Sequence, residues 1–125
     1  MSREAQIQRC LTIVTDMLRG ALSVDGKPLK VSAGDILVLT PSNQLRSAIA
    51  ERLSGDMQTI DVSTIHAARG LQRRITIIVG ADDLRDRNLA YVGLTRPEEL
   101  LVVLYSHDTP LIREMLHNIE VAQAL

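Results

Sequence analysis

Apolar residues recur along the chain with two different spacings, and the alternation of these spacings predicts an α/β fold. Between Glu4 and Leu22 they recur every three or four residues, which is typical of an amphipathic helix. The segments "DILVLT", "ITIIVG" and "LLVVLY" are instead short continuous apolar runs, as expected of strands that are buried on both faces of a parallel sheet. A further segment, "QTIDVSTI", is also predicted to be a strand.

Turn-forming and helix-capping residues separate the predicted strands. "SVDGKPLKVSAG" is predicted to be a turn region, and "HAARGLQ" a turn or a single helical turn. The remaining predicted helices run from Ser42 through Leu53, from Asp82 or Asp83 through Leu94, and onward from Thr109 and Pro110. This alternation predicts one domain, residues 1–125, in which helices flank a parallel sheet on both faces.

The ends of the predicted strands are the first place to expect a site. In parallel α/β sheets, ligands bind in the crevice beyond the carboxyl ends of the strands. Residues 40–43, 64–70 and 80–83 each follow a predicted strand. We therefore expect these three segments to lie together at one edge of the sheet.

The overall charge limits how the chain could bind nucleic acid. The 125 residues carry a formal net charge of −1, which does not suit binding to many phosphates through bulk charge. Arginine provides all but two of the 14 basic residues, and six arginines fall within residues 69–96. Because a guanidinium group can bind phosphate in bidentate fashion, a local phosphate contact is expected in that stretch. The chain has two tyrosines and no Trp or Phe, so bases have few rings on which to stack.

Composition also excludes several classes of protein. The single cysteine cannot form an internal disulfide, and the three scattered histidines do not form a metal cluster. No apolar run reaches the roughly 18 residues that a transmembrane helix needs, and the first residues lack the apolar region of a signal peptide. We expect a cytoplasmic domain that does not enter a membrane.

The usual phosphate-binding loops are missing from the sequence. GxxxxGK(S/T) is absent, and in the nearest candidate, residues 20–27, the glycine spacing is wrong and Pro28 stands where the magnesium-binding hydroxyl should be. GxGxxG is absent as well. The isolated chain is therefore predicted neither to hydrolyse ATP nor to bind a dinucleotide in the usual way.

Two segments together resemble a known family of motor proteins. "VSTIHAARGL" and "RNLAYVGLTRPEELLVVL" follow "DILVLTPSNQLRSAIAERL" in this order. The three segments resemble the second RecA-like domain of UvrD/Rep-like superfamily 1 helicases over residues 35–104. Residues 64–72, which we name the motif V segment, are similar to the family pattern TxHxxKGLE. Residues 91–96, the motif VI segment, are similar to YVAxTR.

The resemblance implies a division of labour between two domains. In this family ATP lies between two RecA-like domains, and the first of them supplies the phosphate loop and the magnesium site. The present chain resembles only the second domain, without a phosphate loop. ATP and Mg²⁺ would therefore be bound only when an N-terminal RecA-like domain completes the cleft, and single-stranded DNA would be the other partner. The chain alone would bind no cofactor tightly.

The resemblance also implies roles for individual residues. Arg96 would be the catalytic arginine that reaches the γ-phosphate, where a fixed positive charge stabilises the transferring phosphoryl group. The residues implied to contact the nucleotide are Arg69, Gly70, Gln72 and Tyr91, and those implied to contact nucleic acid are Asn43, Thr64 and His66. Plainer interpretations stay open. Arg96 would cap a helix C-terminus, Thr64 would be an ordinary strand residue, His66 a helix cap and Gly70 a turn glycine.

The sequence departs from the family pattern at several places. Arg69 replaces a lysine, Gln72 replaces a glutamate, Pro97 replaces a small residue, and Pro41 stands where an arginine often faces DNA. The upstream NYRS-type motif is not recognisable in residues 1–34. Because only about seven residues separate Leu53 from the motif V strand, the large inserted 2B subdomain is also missing. A reduced helicase, or the detached end of one, is implied.

Two other functions stay open. The departures favour a non-enzymatic remnant or protein-interaction module that keeps a helicase-derived fold. A nucleotide or phosphate sensor on a Rossmann-like sheet is weaker, because no glycine-rich loop is present.

Other charged and apolar groups receive the plainer interpretation. The charges at 73–74 and 85–87 are interpreted as a solvated face rather than a basic rim, and Glu98 and Glu99 as edge residues with no acid–base role. The apolar side of the last helix is interpreted as core packing, and comprises Leu111, Met115, Leu116 and Ile119.

Overall fold

The computed structural model describes residues 2–24, 26–68, 70–86, 88, 92–93, 96–107 and 109–117, without the side chains of 24, 97 and 115–117. The described helices are α1 (Arg3–Leu18), α2 (Asn43–Ala50) and α3 (Pro110–His117). The described strands are β1 (Ser23–Val24), β2 (Lys27–Pro28), β3 (Ile36–Thr40), β4 (Asp61–Thr64), β5 (Arg73–Val79) and β6 (Pro97–Leu104).

Four of the strands form one sheet in the order β4-β3-β5-β6, and every neighbouring pair is parallel. The central strand β3 is buried along its whole length, as its continuous apolar sequence predicts. β1 and β2 pair separately as a short antiparallel hairpin. The predicted α/β class and the parallel sheet are confirmed.

The alternation of side chains along β5 divides the core into two layers. Ile75 and Ile77 point to the face that α1 and α2 cover, whereas Ile78 points to the opposite face. The first layer includes Ile7, Cys10, Ile13, Val14 and Met17 from α1 and Leu45 and Ile49 from α2. The second layer includes Ile65 and Ala68 from the motif V segment, Leu84, and Ile112 from α3. Helices therefore lie on both faces, as predicted.

The first helix is shorter than its apolar pattern suggests. It was predicted from Glu4 to Leu22 but ends at Leu18, because Gly20 takes a left-handed conformation with φ +72°. The Gly20 amide donates to the carbonyl of Met17 and the Ala21 amide to that of Asp16, which is the Schellman arrangement. The helix stops where this motif satisfies its last carbonyls.

The second helix begins as predicted and ends early. The Ser42 hydroxyl accepts a hydrogen bond from the Leu45 amide at 3.2 Å, so Ser42 is the N-cap. The helix ends at Ala50 rather than Leu53, since the Leu53 amide donates to the carbonyl of Ala50 in a tighter turn. Leu53 is nevertheless buried in the core.

The helix that was predicted to start at Asp82 or Asp83 does not start there. Ala81–Asp83 forms a single 3₁₀ turn, and Leu84 is extended after it. The Asp82 side chain cannot cap a helix because it turns inward to the side chain of Gln6. Asp86 instead accepts from the Asn88 amide at 2.8 Å, so the helical residues 88, 92 and 93 follow that cap. The predicted end, Leu94, lies outside the described residues.

The last helix opens as predicted. The Thr109 hydroxyl accepts from the Ile112 amide at 3.1 Å, and Ile112 is fully buried in the second layer. Leu111 is partly buried against the same layer. The predicted core side chains of Met115 and Leu116, and all of Ile119, lie outside the described residues.

Candidate functional site

The predicted site residues fall into two groups at opposite edges of the sheet. Thr40 pairs with Thr64 at the carboxyl edge, where the strands end, and Arg73 pairs with Pro97 at the amino edge, where they begin. β5 rises through seven residues between these edges, a distance of roughly 20 Å at about 3.3 Å per residue. A single small ligand cannot span both groups.

The three residues predicted to contact nucleic acid follow strands at the carboxyl edge. Asn43 is exposed at the start of α2, and its Oδ1 accepts from Nε of Arg46 at 3.4 Å. Thr64 ends β4 and is 9% exposed, and its hydroxyl accepts from the Ala67 amide at 3.3 Å. His66 is exposed at the start of the 3₁₀ turn that follows. The exposed pair thus offers an amide and an imidazole, while Thr64 shapes the turn.

A buried polar network holds this edge, and sequence reasoning missed it. Gln6 of α1 is 0% exposed, and its Oε1 accepts from the Gly80 amide at 2.8 Å. Its Nε2 donates to Ser106 Oγ at 2.6 Å and to Asp82 Oδ1 at 3.3 Å. The signal was a polar residue on the apolar face of α1, directly before Ile7. Such a residue needs buried partners, but the sequence does not say which.

Asp82 stays ionised within this network. Burial is the largest single influence on its pKa and acts to raise it. Hydrogen bonds from Gln6 and from backbone amides at 82 and 106, together with the charge of Arg3, outweigh burial and hold the pKa below its ordinary value. Arg3 also forms an ion pair with Asp83, so it is shared between two carboxylates.

A groove of 290 Å³ lies beside the network. It is lined by Arg3, Ile7, Ser42, Gln44, Leu45, Ala48 and Asp83. Arg3 and Asp83 bring opposite charges to this lining and are paired with each other. The groove therefore presents little net charge to a phosphate.

At the amino edge, Arg96 is bound to backbone carbonyls. Its Nε donates to the carbonyl of Val92 at 3.1 Å, and its Nη1 donates to those of Leu71 at 3.2 Å and Ala68 at 3.4 Å. The Arg96 carbonyl in turn accepts from the Arg73 amide at 3.2 Å. The contact with Val92 joins Arg96 to a helical residue four positions earlier, which is compatible with the plainer interpretation. The contacts with Ala68 and Leu71 tie the motif VI segment to the motif V segment.

The residues predicted to contact nucleotide lie near Arg96 where the structure describes them. Residues 64–70 were expected to lie together at the carboxyl edge, and this is wrong for Gly70, because the segment crosses the sheet and Leu71 already contacts Arg96 at the amino edge. Gly70 is exposed with φ +87°. Apart from its chain neighbours, no described residue has an atom within 4 Å of the place a Cβ would take, so the described surroundings favour glycine through its backbone conformation alone. Gln72 is exposed one residue before β5, and its carbonyl accepts from Arg73 Nη1 at 2.8 Å. Arg69 and Tyr91 lie outside the described residues.

The motif V segment connects the two edges. The Ile65 amide donates to the Thr40 carbonyl at the carboxyl edge, whereas the Leu71 carbonyl accepts from Arg96 at the amino edge. Between them Ile65 and Ala68 are buried against side chains of β3, over which the segment crosses from β4 to β5. One short stretch of chain therefore contacts both candidate sites.

The arginines at the start of β5 are ion-paired. Arg73 Nη2 lies 2.6 Å from Asp61, and Arg74 lies 2.7 Å from Glu99 and 3.2 Å from Asp35. The Arg74 guanidinium lowers the pKa of Glu99 by hydrogen bonding. These arginines are solvated surface charges whose partners are carboxylates, as the plainer interpretation predicted.

The second group of basic residues is described only in part. Arg85 donates through Nη1 to the carbonyls of Asp82 and Leu84. Arg87 lies outside the described residues. For Arg85, the described contacts are thus to backbone carbonyls beside the carboxyl edge.

Comparison with known proteins adds no relative. A scan against models of protein families finds no match, and a search of curated proteins finds no similar sequence. The resemblance to helicase motifs V and VI therefore stays a prediction from the sequence. Among the described residues, no helix has both the length and the apolar character to cross a membrane, and no three His, Cys, Asp or Glu side chains are grouped to hold a metal ion.

Proposed function

We propose that the chain is the second, 2A-type RecA-like domain of a superfamily 1 DNA helicase and supplies Arg96 to ATP hydrolysis. One observation carries the proposal. The residues implied to contact DNA and those implied to contact nucleotide lie at opposite edges of one parallel sheet, and the motif V segment joins them. A motor domain needs this arrangement, because it must relate the state of a nucleotide to contacts with a strand.

The catalytic role belongs to the amino edge. A partner domain would hold ATP and Mg²⁺ with its phosphate loop and bring the γ-phosphate to this edge. Arg96 would then place its guanidinium against charge that develops on the transferring phosphoryl group. Arg96 directly precedes β6, and its carbonyl accepts from the Arg73 amide at the start of β5, which gives such a charge a defined position beside the sheet.

The nucleic-acid role belongs to the carboxyl edge. Asn43 and His66 present polar side chains there, and such groups make backbone contacts that fix position without reading sequence. At this edge Arg3 is paired with Asp82 and Asp83, so its charge is largely neutralised, and we expect weak binding of the isolated chain to single-stranded DNA. Binding should weaken further with salt.

A docking module is the second candidate function. Two observations favour it. The three described contacts of Arg96 are all to backbone carbonyls of this chain, and Arg73 and Arg74 are paired with carboxylates of this chain. On this view the fold is kept as a surface for another protein, and no phosphate approaches the amino edge.

Single-turnover ATP hydrolysis separates the two functions. The chain is mixed with the phosphate-loop domain of a superfamily 1 helicase, ATP, Mg²⁺ and a single-stranded oligonucleotide. We expect hydrolysis in the mixture and a loss on the order of 10³-fold in Arg96→Ala. Arg96→Lys should recover little, because lysine lacks the planar fork. Arg19→Ala, an exposed arginine at the end of α1, is the matched control and should retain full rate.

Each outcome decides between the candidates. Hydrolysis that depends on Arg96 but not on Arg19 supports the motor domain. If the mixture does not hydrolyse ATP although the chain is folded, the docking module is supported. Hydrolysis that survives Arg96→Ala removes the catalytic role of Arg96.

A further inference from the structure

Arg96 has a set of partners that a phosphate would compete for. Nε and Nη1 make the three described contacts, to the carbonyls of Val92, Leu71 and Ala68. A guanidinium group binds phosphate best through two parallel N–H donors of its fork. A bidentate phosphate contact that uses Nε or Nη1 therefore breaks at least one of the described contacts.

The carbonyls that Arg96 holds belong to the turn at the centre of the motif V segment. The Leu71 amide donates to the Ala68 carbonyl at 2.9 Å, and the Ala68 amide donates to that of Ile65 at 3.2 Å. The turn is thus closed by short local bonds, and the guanidinium also binds the carbonyls of two of its residues, Ala68 and Leu71. Charge-assisted hydrogen bonds of this kind are about twice as strong as neutral ones.

The same turn reaches the carboxyl edge. It begins at His66, two residues after Thr64, and the Thr64 hydroxyl accepts a hydrogen bond from the Ala67 amide within the turn. A change at Leu71 therefore has a route of only a few residues to the exposed imidazole. Ala68 lies on this route and is fully buried, so any movement of the turn must also displace the side chains packed around Ala68.

We propose that Arg96 is a positioning residue for the motif V turn, residues 66–72, and that a phosphate at the amino edge takes the guanidinium away from it. In the nucleotide-free chain Arg96 holds the turn closed. When phosphate binds, the carbonyls of Ala68 and Leu71 lose their charged donor and the turn loosens up to His66. The holding role stands on the geometry alone, whereas phosphate as the competing ligand rests on the proposed function.

Amide hydrogen exchange tests the holding role in the full chain. We expect Arg96→Ala to speed exchange of the Ala68 and Leu71 amides by about 10- to 100-fold, the change expected when hydrogen bonds to a charged group are lost. The Ile77 amide in β5 should change little. Arg96→Lys should resemble the alanine variant, since one ammonium cannot reach three carbonyls as the fork does. Arg19→Ala should exchange as wild type.

A readout without substitution tests the competition. The Nε–H resonance of Arg96 reports its bond to Val92 and can be followed in the wild-type mixture with the phosphate-loop domain and single-stranded DNA. ADP with aluminium fluoride, which mimics the transferring phosphoryl group, should shift this resonance. It should also bring wild-type exchange at Ala68 and Leu71 close to that of Arg96→Ala.

The outcomes separate failure of this proposal from failure of the proposed function. If the mixture hydrolyses ATP but the nucleotide mimic leaves the wild-type protection intact, the competition is overturned and the motor domain stands. If the mixture is silent while Arg96→Ala still speeds exchange, the holding role stands and the competition falls with the proposed function. If Arg96→Ala is folded and exchanges as wild type, the whole proposal is overturned.

Discussion

The two edges of the sheet are held together by opposite kinds of interaction. At the carboxyl edge, Gln6 is 0% exposed, and its amide binds three residues, Gly80, Asp82 and Ser106, from two separate segments of chain. At the amino edge, Arg74 and its partner Glu99 keep 35% and 49% of their side-chain surface exposed. A hydrogen bond in a buried site is electrostatically stronger, and its loss leaves partners that water cannot reach. Exposed ion pairs are weakened by solvent and salt.

The difference suggests which edge can change during function. Regions that open easily have many solvent-exposed bonds and few buried contacts. The amino edge fits this description, and it is where our proposal requires Arg96 to exchange its partners. The carboxyl edge would keep its structure while Arg96 exchanges its partners at the amino edge.

The comparison predicts the largest effect for Gln6→Leu. Leucine has a similar size but cannot bond to Gly80, Asp82 or Ser106, so buried polar partners are orphaned. We expect the free energy of unfolding, measured by urea denaturation, to fall by about 3 kcal/mol. Gln8→Leu makes the same exchange at an exposed position of α1 and should change stability by less than about 0.5 kcal/mol. Equal effects of the two substitutions would contradict a structural role for the buried amide.

A smaller, pH-dependent effect is expected for Asp82→Asn. Because the pKa of Asp82 is lowered in the folded chain, its charge stabilises the fold above the ordinary carboxyl pKa. This contribution is lost as the pH falls through the lowered value. We expect the variant to be less stable than wild type by about 2 kcal/mol at pH 7, with the difference shrinking below about pH 4.

The acid part of this comparison needs a control. The pKa of Asp35 is also lowered, chiefly by a hydrogen bond from the backbone of Ser32, and that of Glu99 by Arg74. Both groups contribute to acid sensitivity in wild type and variant alike, so only the difference between the two curves reports Asp82. Asp56→Asn removes a carboxylate at an exposed position and should leave stability at each pH close to that of wild type. If the stabilities of wild type and Asp82→Asn still differ by the same amount at pH 3, the charge of Asp82 is not what stabilises the fold.

The strands were predictable from sequence because burial on both faces leaves a continuous apolar run. β3 is such a run, and its parallel neighbours place Thr40 beside Thr64, as expected. The helix predicted from Asp82 was wrong for a tertiary reason. Aspartate is a good N-cap, but its oxygen is bound by Gln6, which lies 76 residues earlier and could not be identified as its partner.

The candidate site was predictable as segments and not as contacts. The motif V and motif VI segments were found by pattern, and the structure ties them together through Arg96. The plainer interpretation gave Arg96 one expected local partner, a carbonyl of the preceding helix, and Arg96 Nε donates to the carbonyl of the helical residue Val92. Its bonds to Ala68 and Leu71 span 28 and 25 residues, and such separations carry no periodic signal. Gly70 has φ +87°, a left-handed conformation that favours glycine in a nucleotide contact and in an ordinary turn alike.

The smallest effect is predicted for Arg74→Ala at the amino edge. The substitution removes exposed pairs with Glu99 and Asp35, which solvent already weakens. We expect a loss in the free energy of unfolding several-fold smaller than that of Gln6→Leu. Raising NaCl to 1 M, where the screening length is about 3 Å, should reduce it further, whereas the effect of Gln6→Leu should persist.

The salt series also shows how this comparison could fail. If Arg74→Ala costs as much as Gln6→Leu and ignores salt, the amino edge is as firmly held as the carboxyl edge. The proposal that Arg96 readily exchanges its carbonyl partners for a phosphate would then lose its physical basis, because the start of the strand beside Arg96 would be too stable to open. If instead the loss is small and salt-sensitive, the ion pairs fix the register of β5 and β6 without stiffening the edge. Arg96 would then be the main restraint on the motif V turn, since its bonds to Ala68 and Leu71 are partly buried.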